Sequence, residues 1–134
     1  MTRHSLRIAS LAAVLLLQVP AFAHHSFTAE FDASKSVTLK GTVAKVMWTN
    51  PHAHLKVDVK DDAGKVTNWD FELGSPNALI RRGWSAHTLK AGDAVTITGY
   101  LARDGSALAN ARVIKLADGR EVFAGSSAED AATQ

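Results

Sequence analysis

The chain has 134 residues, 46% of them hydrophobic, no cysteine, and a formal charge of +2. Thiol catalysis, cysteine ligation of metals and disulfide bonding are therefore excluded. The excess charge sits in Arg3 and Arg7: without them 13 Lys and Arg balance 13 Asp and Glu. Such neutrality argues against a nucleic-acid binder, which draws on Lys and Arg to neutralise phosphates.

Residues 1–23 have the build of a secretory signal peptide. Arg3 and Arg7 form a positive start, Ile8 to Val19 is largely apolar, and Ala21-Phe22-Ala23 places small residues at −3 and −1 of a cleavage site. The apolar run, about 12 residues, is short of the roughly 20 that a membrane span needs. The expectation is a periplasmic or secreted protein whose mature chain begins at His24 and has no membrane span. Cleavage after Phe22 would instead leave Ala23-His24-His25, an amino-terminal motif for copper or nickel, but phenylalanine is disfavoured at −1.

In the mature chain, residues 24–36 read as a polar arm held to the domain by Phe27 and Phe31. A domain over residues 37–124 follows, and residues 125–134 are small and polar enough to predict a disordered tail. The first strand runs from Val37 to Trp48 and changes phase around Gly41, which suggests a bulge or sharp bend. After Asn50-Pro51, a second strand alternates cleanly. Leu55, Val57 and Val59 face one way, and His54, Lys56, Asp58 and Lys60 the other. Asp61-Asp62-Ala63-Gly64 makes a hairpin turn into a third strand with Trp69, Phe71 and Leu73 inward.

Ser75 to Gly83 predicts a short helix, with Ser75 as N-cap, Pro76 at the first helical position and Gly83 just past the end. Leu79 and Ile80 are expected in the core, and Arg81 and Arg82 at the negative end of the helix dipole. A fourth strand places Val95, Ile97 and Leu101 inward. The fifth covers about Ala109 to Leu116, and Asp118-Gly119 turns into a sixth at Glu121 to Phe123. Three strands, a helix and further strands give the element order of an all-β, OB-like Greek-key barrel of five to six strands. A sandwich is the competing architecture.

The start His24-His25-Ser26-Phe27, the segment Trp48-Thr49-Asn50-Pro51-His52, and Glu72-Leu73-Gly74-Ser75-Pro76-Asn77 with Arg81-Arg82-Gly83-Trp84 together resemble a family. It is a family of small secreted proteins of Gram-negative bacteria, known only as a domain of unknown function. The resemblance covers nearly all of the mature chain. It implies export and a small β-rich domain and supplies no catalytic residue.

The sharpest chemical signal is histidine. At a mature N-terminus, His24 would offer an α-amine and an imidazole nitrogen from one residue, enough to close a chelate ring. His25 adjoins it. His52 and His54 share one face of the second strand at an expected Cα spacing of roughly 6.5–7 Å. Nitrogen ligands without thiolate suit Cu(II), Ni(II) or Zn(II), and an N-terminal chelate favours tetragonal Cu(II). Against this, the histidines could be merely solvated, and Lys56 on the same face would repel a cation.

Asp70 and Glu72 also share a face, but one expected to be exposed, where nothing raises a carboxyl pKa for acid–base work. No activated nucleophile or phosphate loop is recognisable, so no enzymatic activity is expected. Trp48, Arg81, Arg82, Trp84 and Tyr100 could line a groove for a protein partner or small ligand. The sequence thus predicts an exported, monomeric binding or accessory module. Its ligand is a divalent transition ion at His24, His25, His52 and His54, or alternatively a metal-free partner in the aromatic and arginine groove.

Overall fold

The computed structural model of the chain describes residues 27–125. The expected signal peptide, His24, His25 and nearly all of the expected tail lie outside the described residues.

A short helix α1, Phe27–Glu30, leads directly into the 17-residue strand β1, Phe31–Met47. The strand thus begins at Phe31 rather than Val37. Phe27 and Phe31 are both buried, with ring centroids 5.7 Å apart, so the expected aromatic anchoring of this segment is present. Strands β2, His54–Lys60, and β3, Val66–Glu72, form the expected hairpin. Helix α2, Pro76–Arg81, follows, then β4, Ala94–Ala102, β5, Leu108–Leu116, and β6, Glu121–Phe123.

Strand β1 is long because it serves two neighbours. Residues 31–42 pair with β4 and residues 42–47 with β2, Thr42 standing opposite both Asp58 and Ala94. The hairpin carries the sheet to β3, which pairs in parallel with β5, and β5 pairs with β4. Five strands therefore close into a ring in the order β1-β2-β3-β5-β4, with β6 appended to β5. This is the OB-like arrangement that the element order predicts.

Three register shifts interrupt the ring, one of them between Phe31 and Ser36 where β1 runs against β4, and the other two each add one residue. Ala44 is extra in β1 between the pairs Val43–Val57 and Lys45–Lys56. Arg112 is extra in β5 between Thr98–Val113 and Gly99–Ala111, and it resets which residues point inward. Ala109 and Ala111 are buried on one side of it, and Ile114 and Leu116 on the other. The bulge expected at Gly41 thus falls at Ala44. Gly41 has a different duty, since a Cβ there would lie 2.5 Å from the carbonyl oxygen of Asp58. Gly99 is tighter still, its missing Cβ pointing at the Asn110 carbonyl.

The main core gathers Val43, Leu55, Val57, Phe71, Leu73, Ile97 and Ile114, with Leu79 of α2 and Trp84 just beyond it. Ser75 caps α2 by accepting from the Ala78 N–H at 3.3 Å, and Gly83 has φ +91. Ile80 departs from expectation: it is 53% exposed, because the one-and-a-half-turn helix presents only Leu79 and Pro76 to the core. Leu101 keeps inward parity but is only partly buried near the end of β4. Phe27, Phe31 and Ala102 form a second buried cluster, with Tyr100 and Leu108 against it. Among the described residues no helix is long and apolar enough to cross a membrane.

Gly99→Ala should destabilise the fold by about 1–3 kcal/mol, the usual cost of forcing a methyl group against packed atoms. Urea unfolding measures it; an unchanged midpoint would show that the β4–β5 approach is looser than described.

Candidate functional site

Alternation in β2 sends Ala53, Leu55 and Val57 into the core and His52, His54 and Lys56 outward. His52 precedes the strand but belongs to the same ladder. Ala53 donates to the Gly74 carbonyl at 3.1 Å and accepts from Leu73 N–H at 2.8 Å, which extends the hairpin past His54. The Thr49 hydroxyl donates to the His52 carbonyl at 3.1 Å, and the Asn50–Pro51 peptide ahead of it is cis.

On β3 the outward positions are Asp70 and Glu72, opposite Lys56 and His54 in the register. The imidazoles reach diagonally across the twisted pair. His52 Nδ1 lies 3.1 Å from Glu72 Oε1, and His54 Nδ1 lies 3.0 Å from Asp70 Oδ1. Lys56 Nζ takes the other Asp70 oxygen at 2.6 Å. The two carboxylates that look solvated in the sequence are thus the partners of the two histidines. Parity alone, applied to both strands of the hairpin, pairs His54 with Glu72 and would have brought these four residues together.

The β3–β5 ladder adds a residue that no motif flags. Asn110 stands opposite Glu72 and donates from Nδ2 to Glu72 Oε1 at 3.2 Å. It is 1% exposed, the one buried polar residue among the described residues. A lone asparagine between Ala109 and Ala111 in an apolar strand was the available signal. On its other side Asn110 faces Tyr100 of β4, whose ring meets Phe27 edge-on at 5.7 Å. One row of outward positions therefore runs His54, Glu72, Asn110, Tyr100 across four strands, with α1 over its end.

The charges follow from these contacts. The hydrogen bond that His52 donates to Glu72 raises its pKa above that of an ordinary imidazole, against the opposing effect of burial, and the charges of Glu72 and Glu30 add to it. His54 is raised in the same way by its bond to Asp70. Burial alone would push the Asp70 carboxyl up, but the bonds from His54 and Lys56 outweigh it and hold the group below the usual carboxylate range.

The groove residues do not come together on one open surface. Trp84 is buried in the main core and spends its indole N–H on the Phe123 carbonyl at 3.0 Å. Trp48 is partly buried against the same core, and Tyr100 packs against the second cluster. Arg81 and Arg82 are exposed at the end of α2, the Arg82 guanidinium lying 3.9 Å from the centroid of the Phe123 ring. Arg112 joins that ring at 5.6 Å and reaches Tyr100 at 5.8 Å. Of the four histidines expected to hold a metal, His52 and His54 share one face, and His24 and His25 lie outside the described residues. Among the described residues no three His, Asp or Glu side chains are grouped to hold an ion alone.

Residues 12–111 match a family described as Family of unknown function (DUF6152), and the chain belongs to it. Comparison with curated proteins and with solved structures finds no match.

Asp70→Asn should return the His54 pKa towards that of a free imidazole, read by NMR titration of the metal-free protein. The pair's contribution to stability has a window. Raised His54 supports the fold below its unfolded pKa and loses that support as pH rises through its folded value. Depressed Asp70 supports it above its own unfolded pKa and loses that support as pH falls through its folded value. The substitution should therefore cost most between about pH 4 and 6.5, on the order of 1 kcal/mol for a partly exposed pair with side chains 27% and 24% exposed. A smaller remainder at higher pH belongs to Lys56. An unshifted His54 titration would contradict the contact.

Proposed function

We propose that this protein is an exported binding module, not an enzyme, and that it takes Cu(II) or another divalent transition ion. The ion would lie between the imidazoles of His52 and His54 and the N-terminal pair His24-His25. One observation carries the reading: each strand-borne imidazole has its Nδ1 held by a carboxylate, at 3.1 and 3.0 Å. A histidine that ligates a metal characteristically has its other ring nitrogen fixed this way, which sets the tautomer and aims Nε2 at the ion. Two nearby rings with such support, on a rigid hairpin and with no thiolate available, favour nitrogen ligation of a borderline metal.

Two imidazoles are not a complete set, so the reading needs ligands from the start of the mature chain. The position of α1 supports this. Its Phe27 packs on Tyr100 in the same row of outward residues, and Glu30 acts on His52. Lys56 is less of an obstacle than its place in the sequence suggests, because its ammonium is tied to Asp70.

A second reading rests on the stacked layer of Arg82, Phe123, Arg112 and Tyr100. Two guanidinium groups laid on aromatic rings present a planar, cationic and apolar face suited to a protein partner or a small anionic ligand without any metal. Trp84, being buried, contributes structure rather than contact to that face.

Titrating Cu(II) into protein carrying its native mature N-terminus separates the two. Micromolar or tighter uptake should fall at least tenfold in a His52→Ala/His54→Ala double variant, and likewise when an extra residue precedes His24. Equal and weak uptake in all three proteins would remove the metal site and leave the arginine face as the reading to pursue.

A further inference from the structure

The outward face of β1, β4 and β5 carries a second chemistry, away from the histidines. Alternation turns Thr96 outward between buried Val95 and Ile97, and Lys115 outward between buried Ile114 and Leu116. Lys40 is exposed on β1. The register sets the three in one row, Lys40 opposite Thr96 and Thr96 opposite Lys115. Thr96 therefore stands between two lysines on adjacent strands. Tyr100, where the histidine row ends, lies four residues further along β4, about 13 Å away.

These three side chains border an open cleft of about 450 Å³. Small residues beside them, Ala94, Ala117 and Gly119, leave it unfilled. No carboxylate lines the cleft, and among the described residues neither lysine has an ion-pair partner. Glu121 faces Lys115 across the β5–β6 ladder, on the side away from Thr96, and forms no ion pair with it. The neighbours differ. In the adjoining cleft Lys90 holds Asp93 at 2.6 Å, and Arg120 holds Asp118 at 2.7 Å. One row along the face, the Thr38 and Thr98 hydroxyls meet at 3.0 Å.

Two like charges on one face of a sheet repel, and an anion between them removes that cost. Strands lie about 4.8 Å apart, which puts the two lysine backbones roughly 10 Å from each other. Four-carbon stems let both ammonium groups turn inward on one point above Thr96. Two ammonium groups and a hydroxyl then offer donors from three directions. A carboxylate has two oxygens to answer them, whereas a terminal phosphate has three and carries close to two negative charges. Lysine is well suited to phosphate, acting as a point charge. A cleft of this size also has room for a small organic body beside the phosphate.

We propose that this cleft binds the phosphate group of a small anion, held by Lys40 and Lys115 with the Thr96 hydroxyl donating between them. The ligand is free phosphate or a small phosphate monoester, one chemistry from two sources. The site is independent of the metal reading, since it shares no residue with His52 and His54 and needs no ion.

NMR titration of the protein in EDTA and low salt tests this, with inorganic phosphate, glycerol 3-phosphate and succinate as probes. Both phosphates should shift the amides of Lys40, Thr96 and Lys115 at millimolar concentration or below. Succinate should bind at least fivefold more weakly. Lys40→Ala and Lys115→Ala should each raise the Kd at least fivefold, and Thr96→Val should raise it by less. Lys45→Ala, at an exposed lysine on the same strand as Lys40, should leave it unchanged. All four substitutions are on the outer face, so each variant should keep the fold. Tighter binding of glycerol 3-phosphate would identify a monoester as the ligand, and inorganic phosphate binding as tightly would identify free phosphate. An equal loss in Lys45→Ala, succinate binding as tightly as phosphate, or no shift with either phosphate would overturn the proposal.

Discussion

Three residue pairs hold the molecule in its working form. Asp70, Glu72 and Phe71 of β3 lie in parallel register with Leu108, Asn110 and Ala109 of β5. Without that short ladder β3 would be an open edge, and the sheet would run from β3 through β1 to β6 as an unclosed ribbon. With it, the ring shuts and the main core acquires its fifth wall. The same pairs also set Glu72 beside Asn110, so closing the fold and building the candidate site are one event.

Such a short closure is supported from elsewhere. Residues 31–42 and 42–47 of β1 hydrogen-bond to different strands, so one continuous chain fixes the angle between the two halves of the ring. The extra residues Ala44 and Arg112 supply the bend. Gly41 and Gly99 let backbones approach where a methyl group could not fit. Curvature in a small closed sheet has to come from such local devices, because the ordinary twist of strands does not close five of them by itself.

Much of this is legible in the residues. Strict alternation in β2 and β3 gives the hairpin, its core face and its outward face. Ser75, Pro76 and Gly83 mark α2 at both ends by chemistry that acts within a few residues. Errors appear where the deciding contact is remote in sequence. Segment 31–36 looks like a polar arm, yet β4 recruits it as strand, and that partner lies some 60 residues away in the register Ser36–Tyr100. Ile80 has the composition of a core residue but follows Leu79 on a helix too short to bury both. Asp70 and Glu72 look solvated when their strand is read alone; their partners stand on the neighbouring strand. Asn110 carries no motif at all, and only the β3–β5 closure gives it meaning.

The two imidazoles are not equivalent, and the difference bears on what the face can do. His54 shares Asp70 with Lys56, whose ammonium sits 2.6 Å from one carboxylate oxygen while the ring takes the other. That carboxylate is already compensated, so it does little to draw a further cation. Glu72 is placed otherwise: its described partners are His52 and a neutral amide, and Glu30 adds to the negative field around the ring. A positive charge arriving at this surface would meet its strongest attraction at the His52 end. The outward row is therefore polarised along its length, the Asp70 carboxylate being shared by His54 and Lys56 at one end and the Glu72 carboxylate held by one imidazole and a neutral amide at the other.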